Sequence, residues 1–206
     1  MDNSGASTMK FSWNVPNLLT ILRVGLVPVF VVLLSAQTVM TRWVALATFV
    51  IASITDHYDG SIARKRNLVT DFGKIADSFA DKLLTGAAFI MFSFLGELPW
   101  WVTIVILIRE WGITIMRFAM VKVQVMAAGL GGKAKMVLQI LGIMLLLVPW
   151  IAVLGEEKGG VLVLVSQAVI YLATALTVIT GIDYVIKAVK ISRRHRLNHE
   201  VPGDPR

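Results

Sequence analysis

Apolar residues gather in six stretches along the chain, over about 17–35, 42–63, 74–95, 100–122, 133–153 and 161–188. Each is close to the roughly 20 residues that a helix needs to cross a bilayer. Turn-forming and polar residues separate them: Gly96-Glu97-Leu98-Pro99, a loop at 124–132 with Gly129, Gly131 and Gly132, and a short turn carrying Glu156, Glu157, Lys158, Gly159 and Gly160. Trp13 and the pair Trp100-Trp101 stand at the edges of apolar runs, where indole rings suit a membrane–water boundary. The pattern predicts an all-α integral membrane protein with six transmembrane helices over 11–192. It leaves a disordered segment at 1–10 and a basic, disordered tail at 193–206. Arg23 lies inside the first apolar run and little positive charge precedes it, which argues against a cleaved secretory leader.

Composition agrees: 56% of the 206 residues are hydrophobic and none is cysteine. An ordinary soluble domain of this length does not hold so many uninterrupted apolar runs. The lack of cysteine excludes disulfides, thiolate metal sites and a cysteine nucleophile. Six spans leave no room for a second globular domain.

The net charge of +7 matters less than where the charges fall. With a cytoplasmic N-terminus, the links at 36–41, 96–99 and 155–160 face outward, and near them lie only Arg42 and Lys158. Lys10, Arg64, Lys65, Arg66, Lys74, Lys82, Lys122, Lys133, Lys135 and the run from Lys187 to Arg196 fall at or toward the opposite side. That asymmetry predicts both termini in the cytoplasm. The polar segments are too short to build a basic, base-reading face, so no nucleic-acid partner is expected.

Four aspartates break the apolar pattern where it should tolerate them least. Asp56 and Asp59 close the second run, and Asp77 and Asp81 open the third. A carboxylate at mid-membrane depth costs about 2.5–3.5 kcal/mol on insertion scales. Spacings of three and four put each pair on one helix face, and an antiparallel hairpin across the link at 65–72 would bring the pairs together. Clustered carboxylates stay ionised only beside cations. Hard oxygen donors of this kind suit two divalent ions, Mg²⁺ or Mn²⁺, which balance four aspartates in charge. A transporter would instead spread acidic residues along a path through the bilayer, and a non-catalytic scaffold would leave their cost unexplained.

Asp56, Asp59, Gly60, Ala63, Arg64, Gly73, Asp77 and Asp81 fill every fixed position, at the right spacing, of the signature of the CDP-alcohol phosphotransferases, and the chain resembles that family of integral membrane enzymes. The resemblance implies a six-helix bundle of the family's type in which Asp56, Asp59 and Asp77 bind the metals. It also implies that Asp81, beside the metals, is the base that takes the proton of an attacking alcohol. The resemblance further implies a cleft for the CDP group at Gly60, Ala63 and Gly73; Arg64 has the fork that grips phosphate oxygens.

Other stretches narrow the resemblance, within the family, to phosphatidylglycerophosphate synthases: Trp13 to Arg23 at the start, Arg109-Glu110, and Gly132-Lys133-Ala134-Lys135. The implied reaction transfers the phosphatidyl group of CDP-diacylglycerol to sn-glycerol 3-phosphate and releases CMP. Asn17, Thr20 and Arg23 are candidates for the nucleotide or lipid side. Arg109, Arg117, Lys133 and Lys135 are candidates for the acceptor's phosphate. An internal ion pair is the alternative role for Arg109 and Glu110. Two positions depart from the group's pattern: Ser78 stands where a proline is usual and Met136 where a threonine is usual, so siblings using inositol phosphate or phosphatidylglycerol stay open as alternatives. The resemblance also implies a homodimer among the membrane lipids, in a bacterial cytoplasmic membrane with the active site on the cytoplasmic side.

Overall fold

A computed structural model describes residues 15–65, 71–120 and 130–199, with side chains described for 21–55, 79–80, 82–116 and 131–191. The described residues form six helices and no strand: α1 (Val15–Ser35), α2 (Val39–Lys65), α3 (Asp71–Phe94), α4 (Trp100–Met120), α5 (Leu130–Leu147) and α6 (Trp150–His199).

Local chemistry sets the helix ends. Thr38 and Thr41 cap α2 reciprocally: Thr41 N donates to Thr38 Oγ1 at 3.1 Å and Thr38 N donates to Thr41 Oγ1 at 3.2 Å. This satisfies two of the amides that a helix start leaves without partners. At the close of α3, Gly96 takes φ +76°, Glu97 N donates to Phe92 O at 2.8 Å and Gly96 N to Ser93 O at 3.2 Å. Glycine fits this left-handed closing turn because it carries no Cβ.

The link between the fifth and sixth helices differs from the sequence expectation. A fifth helix over 133–153 and a turn over 156–160 were expected, yet α5 stops at Leu147 and Glu156–Gly160 are helical. Pro149 explains the early stop, since it has no N–H to donate and disfavours helical geometry at Val148. The reversal, expected within the link at 155–160, is confined to Gly155, with φ +79° and ψ 173°, which divides α6 into a short arm from Trp150 and a long helix. The arm lies against the long helix at Gly159, where a Cβ would come within 2.6 Å of Ile151 Cα and Trp150 O. At its other end α6 stays helical to His199, past the expected start of the tail at 193.

The helices surround a core of Phe30 and Leu34 from α1, Phe49 from α2, Phe89 and Phe92 from α3, Ile106 from α4, Ile143 and Leu147 from α5 and Ile170 from α6. α1 packs against α2 and α3, while α6 packs against α5 and α4. The outside is also apolar, with Val32, Met40, Ile51, Phe94, Ile108, Ile115, Leu164 and Ile179 all exposed. Among the described residues one segment, Trp150–Ile191, is long and apolar enough alone to cross a membrane, and only 28% of its most apolar stretch is buried. The core helix of a water-soluble bundle would be mostly covered. Shorter apolar stretches, Ile21–Ser35, Val39–Thr55 and Lys82–Phe94, belong to α1, α2 and α3.

A polar knot fastens one end of the bundle. Arg42 of α2 forks onto the Glu97 carboxylate at 2.7 and 2.8 Å and also donates to Leu146 O of α5 at 3.1 Å. Gln167 of α6 donates to Glu97 O at 2.7 Å. Because the start of α2 thereby meets the residue just past α3, these two helices run antiparallel. Trp43, Trp100 and Trp101 are exposed at this same end, the last stacked on Tyr171 at 6.0 Å.

Replacing Gly159 by alanine should lower stability by about 1–3 kcal/mol, since the new methyl meets backbone that cannot move aside. Gly160→Ala, with open space around it, should be neutral or stabilising by up to about 1 kcal/mol. Thermal unfolding of both variants in detergent checks the pair.

Candidate active site

The antiparallel run of α2 and α3 decides where the aspartates lie. Counted from Arg42 at 1.5 Å per residue, Asp56 lies about 21 Å and Asp59 about 26 Å along α2. Counted back from Phe94 at the same rise, Asp81 lies about 20 Å and Asp77 about 26 Å along α3. Asp56 is therefore level with Asp81, and Asp59 with Asp77, at the end of the bundle opposite the Arg42–Glu97 knot. Five residues, 66–70, join the two helices there. The side chains of Asp56, Asp59, Gly60, Ala63, Arg64, Gly73, Asp77 and Asp81 lie outside the described residues, as do those of Asn17, Thr20 and Arg117. Among the described residues no cluster of histidines and carboxylates could hold a metal. The motif's own donors, four carboxylates on two neighbouring helix ends, fit a hard divalent ion in kind.

Arg23 is described and sits 2% exposed on the inner face of α1. It lies about 18 Å from Ser35 at 1.5 Å per residue, close to the level of Asp56 and Asp81.

The second constellation is assembled in full view. Glu110 of α4 receives Arg109 Nη1 at 3.0 Å and the Lys135 ammonium of α5, so one carboxylate answers two cations. Arg109 Nη2 donates to Thr180 Oγ1 of α6 at 3.1 Å. Lys135 is only 4% exposed, while Lys133, two residues earlier and on another helix face, is exposed. Helical periodicity explains the split, because residues two apart do not share a side. Arg109, Glu110 and Lys135 thus come together with one net positive charge, and Lys133 points elsewhere. Below them Gln139 of α5 donates to Thr177 of α6 at 3.3 Å. Phe79 of α3 packs edge-on against Trp111 of α4, with ring centroids 5.1 Å apart, beside the aspartate-bearing turn.

The sequence model of the CDP-alcohol phosphatidyltransferase family matches residues 13–179. The chain belongs to this family. A protein named probable phosphatidylglycerophosphate synthase from Mycobacterium tuberculosis is 42% identical over 180 residues, covering 86% of this chain and 82% of that one. A CDP-diacylglycerol--glycerol-3-phosphate 3-phosphatidyltransferase from Rickettsia bellii is 40% identical over 189 residues, 88% of this chain and 98% of that one. The protein of that name from Rickettsia prowazekii is 39% identical over the same length. The chain is accordingly a family phosphatidyltransferase, an enzyme of phospholipid synthesis.

Thr180 and Gly181 were not among the sequence candidates. A signal exists for Gly181, since Ser166, Ile170, Ala173, Thr174, Thr177, Gly181, Tyr184 and Ala188 recur at helical spacing and form the buried stripe of α6, while the half-buried Thr180 lies at its edge. Gly142 and Gly181 serve packing within the chain. A Cβ at Gly142 would come within 2.6 Å of Ile170 Cγ1, and one at Gly181 within 3.2 Å of Arg109 Cγ.

Glu110→Gln removes the carboxylate that, among the described residues, Arg109 and Lys135 share. It should lower stability by about 3–5 kcal/mol, the cost of stranding buried charge. Adding Lys135→Met should recover part of that loss, read as a melting temperature above that of Glu110→Gln alone.

Proposed function

We propose that the enzyme transfers the phosphatidyl group of CDP-diacylglycerol to sn-glycerol 3-phosphate, giving phosphatidylglycerophosphate and CMP. The observation that carries this reading is the complete aspartate signature, Asp56 to Asp81, in a chain about 40% identical to relatives named for that reaction over nearly their whole length. The acceptor hydroxyl oxygen bonds to the phosphorus that carries diacylglycerol. The bond from that phosphorus to the bridging oxygen breaks, and CMP departs with the electron pair. Asp81 takes the hydroxyl proton.

Asp56, Asp59 and Asp77, with Asp81 alongside, would hold two divalent cations, Mg²⁺ or Mn²⁺. Bound there, such ions neutralise the charge that builds on the diphosphate and on departing CMP. Arg64, with Gly60, Ala63 and Gly73 leaving room beside it, takes the CDP group, and Asn17, Thr20 and Arg23 line the nucleotide or lipid side. Arg109 and Lys135, with Arg117, attract the acceptor's phosphate, since a dianion beside a diphosphate needs several cations; Lys133, exposed on another face of α5, falls outside that set. In this reading all six helices span a bacterial cytoplasmic membrane as a homodimer, with both termini and the aspartates on the cytoplasmic side, where soluble phosphorylated acceptors are found. The basic residues at that end support this orientation.

Purified enzyme in lipid, given CDP-diacylglycerol and Mg²⁺, should release CMP with glycerol 3-phosphate and not with inositol phosphate or phosphatidylglycerol; release with either of the others alone overturns the acceptor assignment. Asp81→Asn should cut kcat by about 10²–10⁴-fold, the usual worth of a general base. An unchanged rate removes Asp81 from that role.

A further inference from the structure

Thr180 and Gly181 lie just beyond residues 13–179, the part of the chain that the family model matches, and neither takes part in the reaction proposed above. Their surroundings are specific. The Thr180 hydroxyl donates to Leu176 O at 2.7 Å, so its proton is committed to its own helix and its lone pair is left to accept from Arg109 Nη2 at 3.1 Å. Its methyl faces α5 at Gly131, where even a Cβ would come within 2.9 Å of Thr180 Cγ2. A close neighbour on that side holds the rotamer that keeps the oxygen on Arg109. One residue on, Gly181 admits the Arg109 stem, which a Cβ would crowd at 3.2 Å.

Arg109 needs such a support. Its other partner among the described residues, Glu110, is the adjacent residue on the same helix, and adjacent residues project about 100° apart, so that pair alone leaves the guanidinium free to swing. Thr180 supplies a second fixed point from another helix. A guanidinium has five N–H donors in a rigid plane; holding one on Nη1 and one on Nη2 sets the plane and directs the remaining terminal donors. A planar donor set recognises phosphate oxygens only when its orientation is fixed beforehand.

We infer that Thr180 is a positioning residue of the acceptor site, orienting Arg109 toward the acceptor's phosphate, with Gly181 giving the arginine its passage. The inference rests on the proposed reading of Arg109 as a ligand of that phosphate. Thr180 touches no substrate; it acts on binding through Arg109.

The test uses the full-length enzyme in lipid, with CDP-diacylglycerol saturating and glycerol 3-phosphate varied. Thr180→Val keeps the shape and loses the acceptor, so KM for glycerol 3-phosphate should rise about tenfold, the worth of one hydrogen bond to a charged group, with kcat little changed. Thr180→Ser, which restores the oxygen, should return KM toward the starting value. Thr177→Val, one turn away and bonded to Gln139, should leave KM unchanged whatever it does to melting temperature. Arg109→Gln should raise KM by itself, and Thr180→Val should add nothing in that background. If Arg109→Gln raises KM while Thr180→Val does not, the positioning role is overturned and the acceptor reading stands. If Arg109→Gln leaves KM unchanged, the acceptor reading falls and takes the inference with it. Should Thr180→Val fail to fold, Gly181→Ala carries the same expectation of raised KM, because its methyl presses on the Arg109 stem.

Discussion

Glu110 shares its carboxylate between Arg109 beside it and Lys135 on another helix, and this need to meet charge at contact distance governs how the bundle is put together. An ion inside an apolar bundle has little water to screen it, so a partner must come from a neighbouring helix or the charge costs several kcal/mol. Each such meeting fixes how far one helix can slide past the next. The Arg42–Glu97 pair does this at one end, joined to α5 through Leu146 and to α6 through Gln167. Midway along, the Lys135–Glu110–Arg109–Thr180 chain does the same for α5, α4 and α6. Two polar ties at different heights set register more firmly than apolar packing, which tolerates sliding.

Close packing supplies the other half of that geometry. Gly142 lets α5 approach Ile170, Gly159 lets the short arm of α6 lie on the long helix, and Gly181 lets Arg109 cross from α4 to α6. In a bundle that exposes many large apolar side chains, a buried apolar face alone does little to select one helix as the partner of another. Backbones that approach over small residues gain dispersion contacts and short polar bonds instead. The buried threonines of α6 follow the same logic, each satisfying its hydroxyl on a carbonyl of its own helix, as Thr174 and Thr177 do at 2.8 and 2.6 Å.

The molecule is thus tied at one end and carries its aspartate signature toward the other. The Arg42–Glu97 knot sets α2 and α3 antiparallel, and the rise of a helix then brings the levels of Asp56 and Asp81, and of Asp59 and Asp77, into agreement. Mutual height is what a shared cation site demands of two helices, and a membership in the CDP-alcohol phosphatidyltransferases gives that demand its chemistry.

Much of this was written in the residues themselves. Six apolar runs and their intervening turns foretold an all-helical chain, because hydrophobic length and periodicity are local properties. The eight signature residues from Asp56 to Asp81 carried the family, since their spacing along two helix ends is likewise local. What no local signal carried was partnership. Lys133 and Lys135 looked alike in sequence, yet only Lys135 turns inward to Glu110; Arg109 could have been a substrate ligand or half of an ion pair, and its hold on Thr180 joins residues 71 apart. The break at Pro149 was also missed, while the reversal expected within 155–160 narrows to Gly155, because local composition marks a turn without saying which residue makes it. Periodicity says which side of a helix is buried; only the packing of the helices against each other decides which neighbour is met there, and a buried charge takes its role from that neighbour.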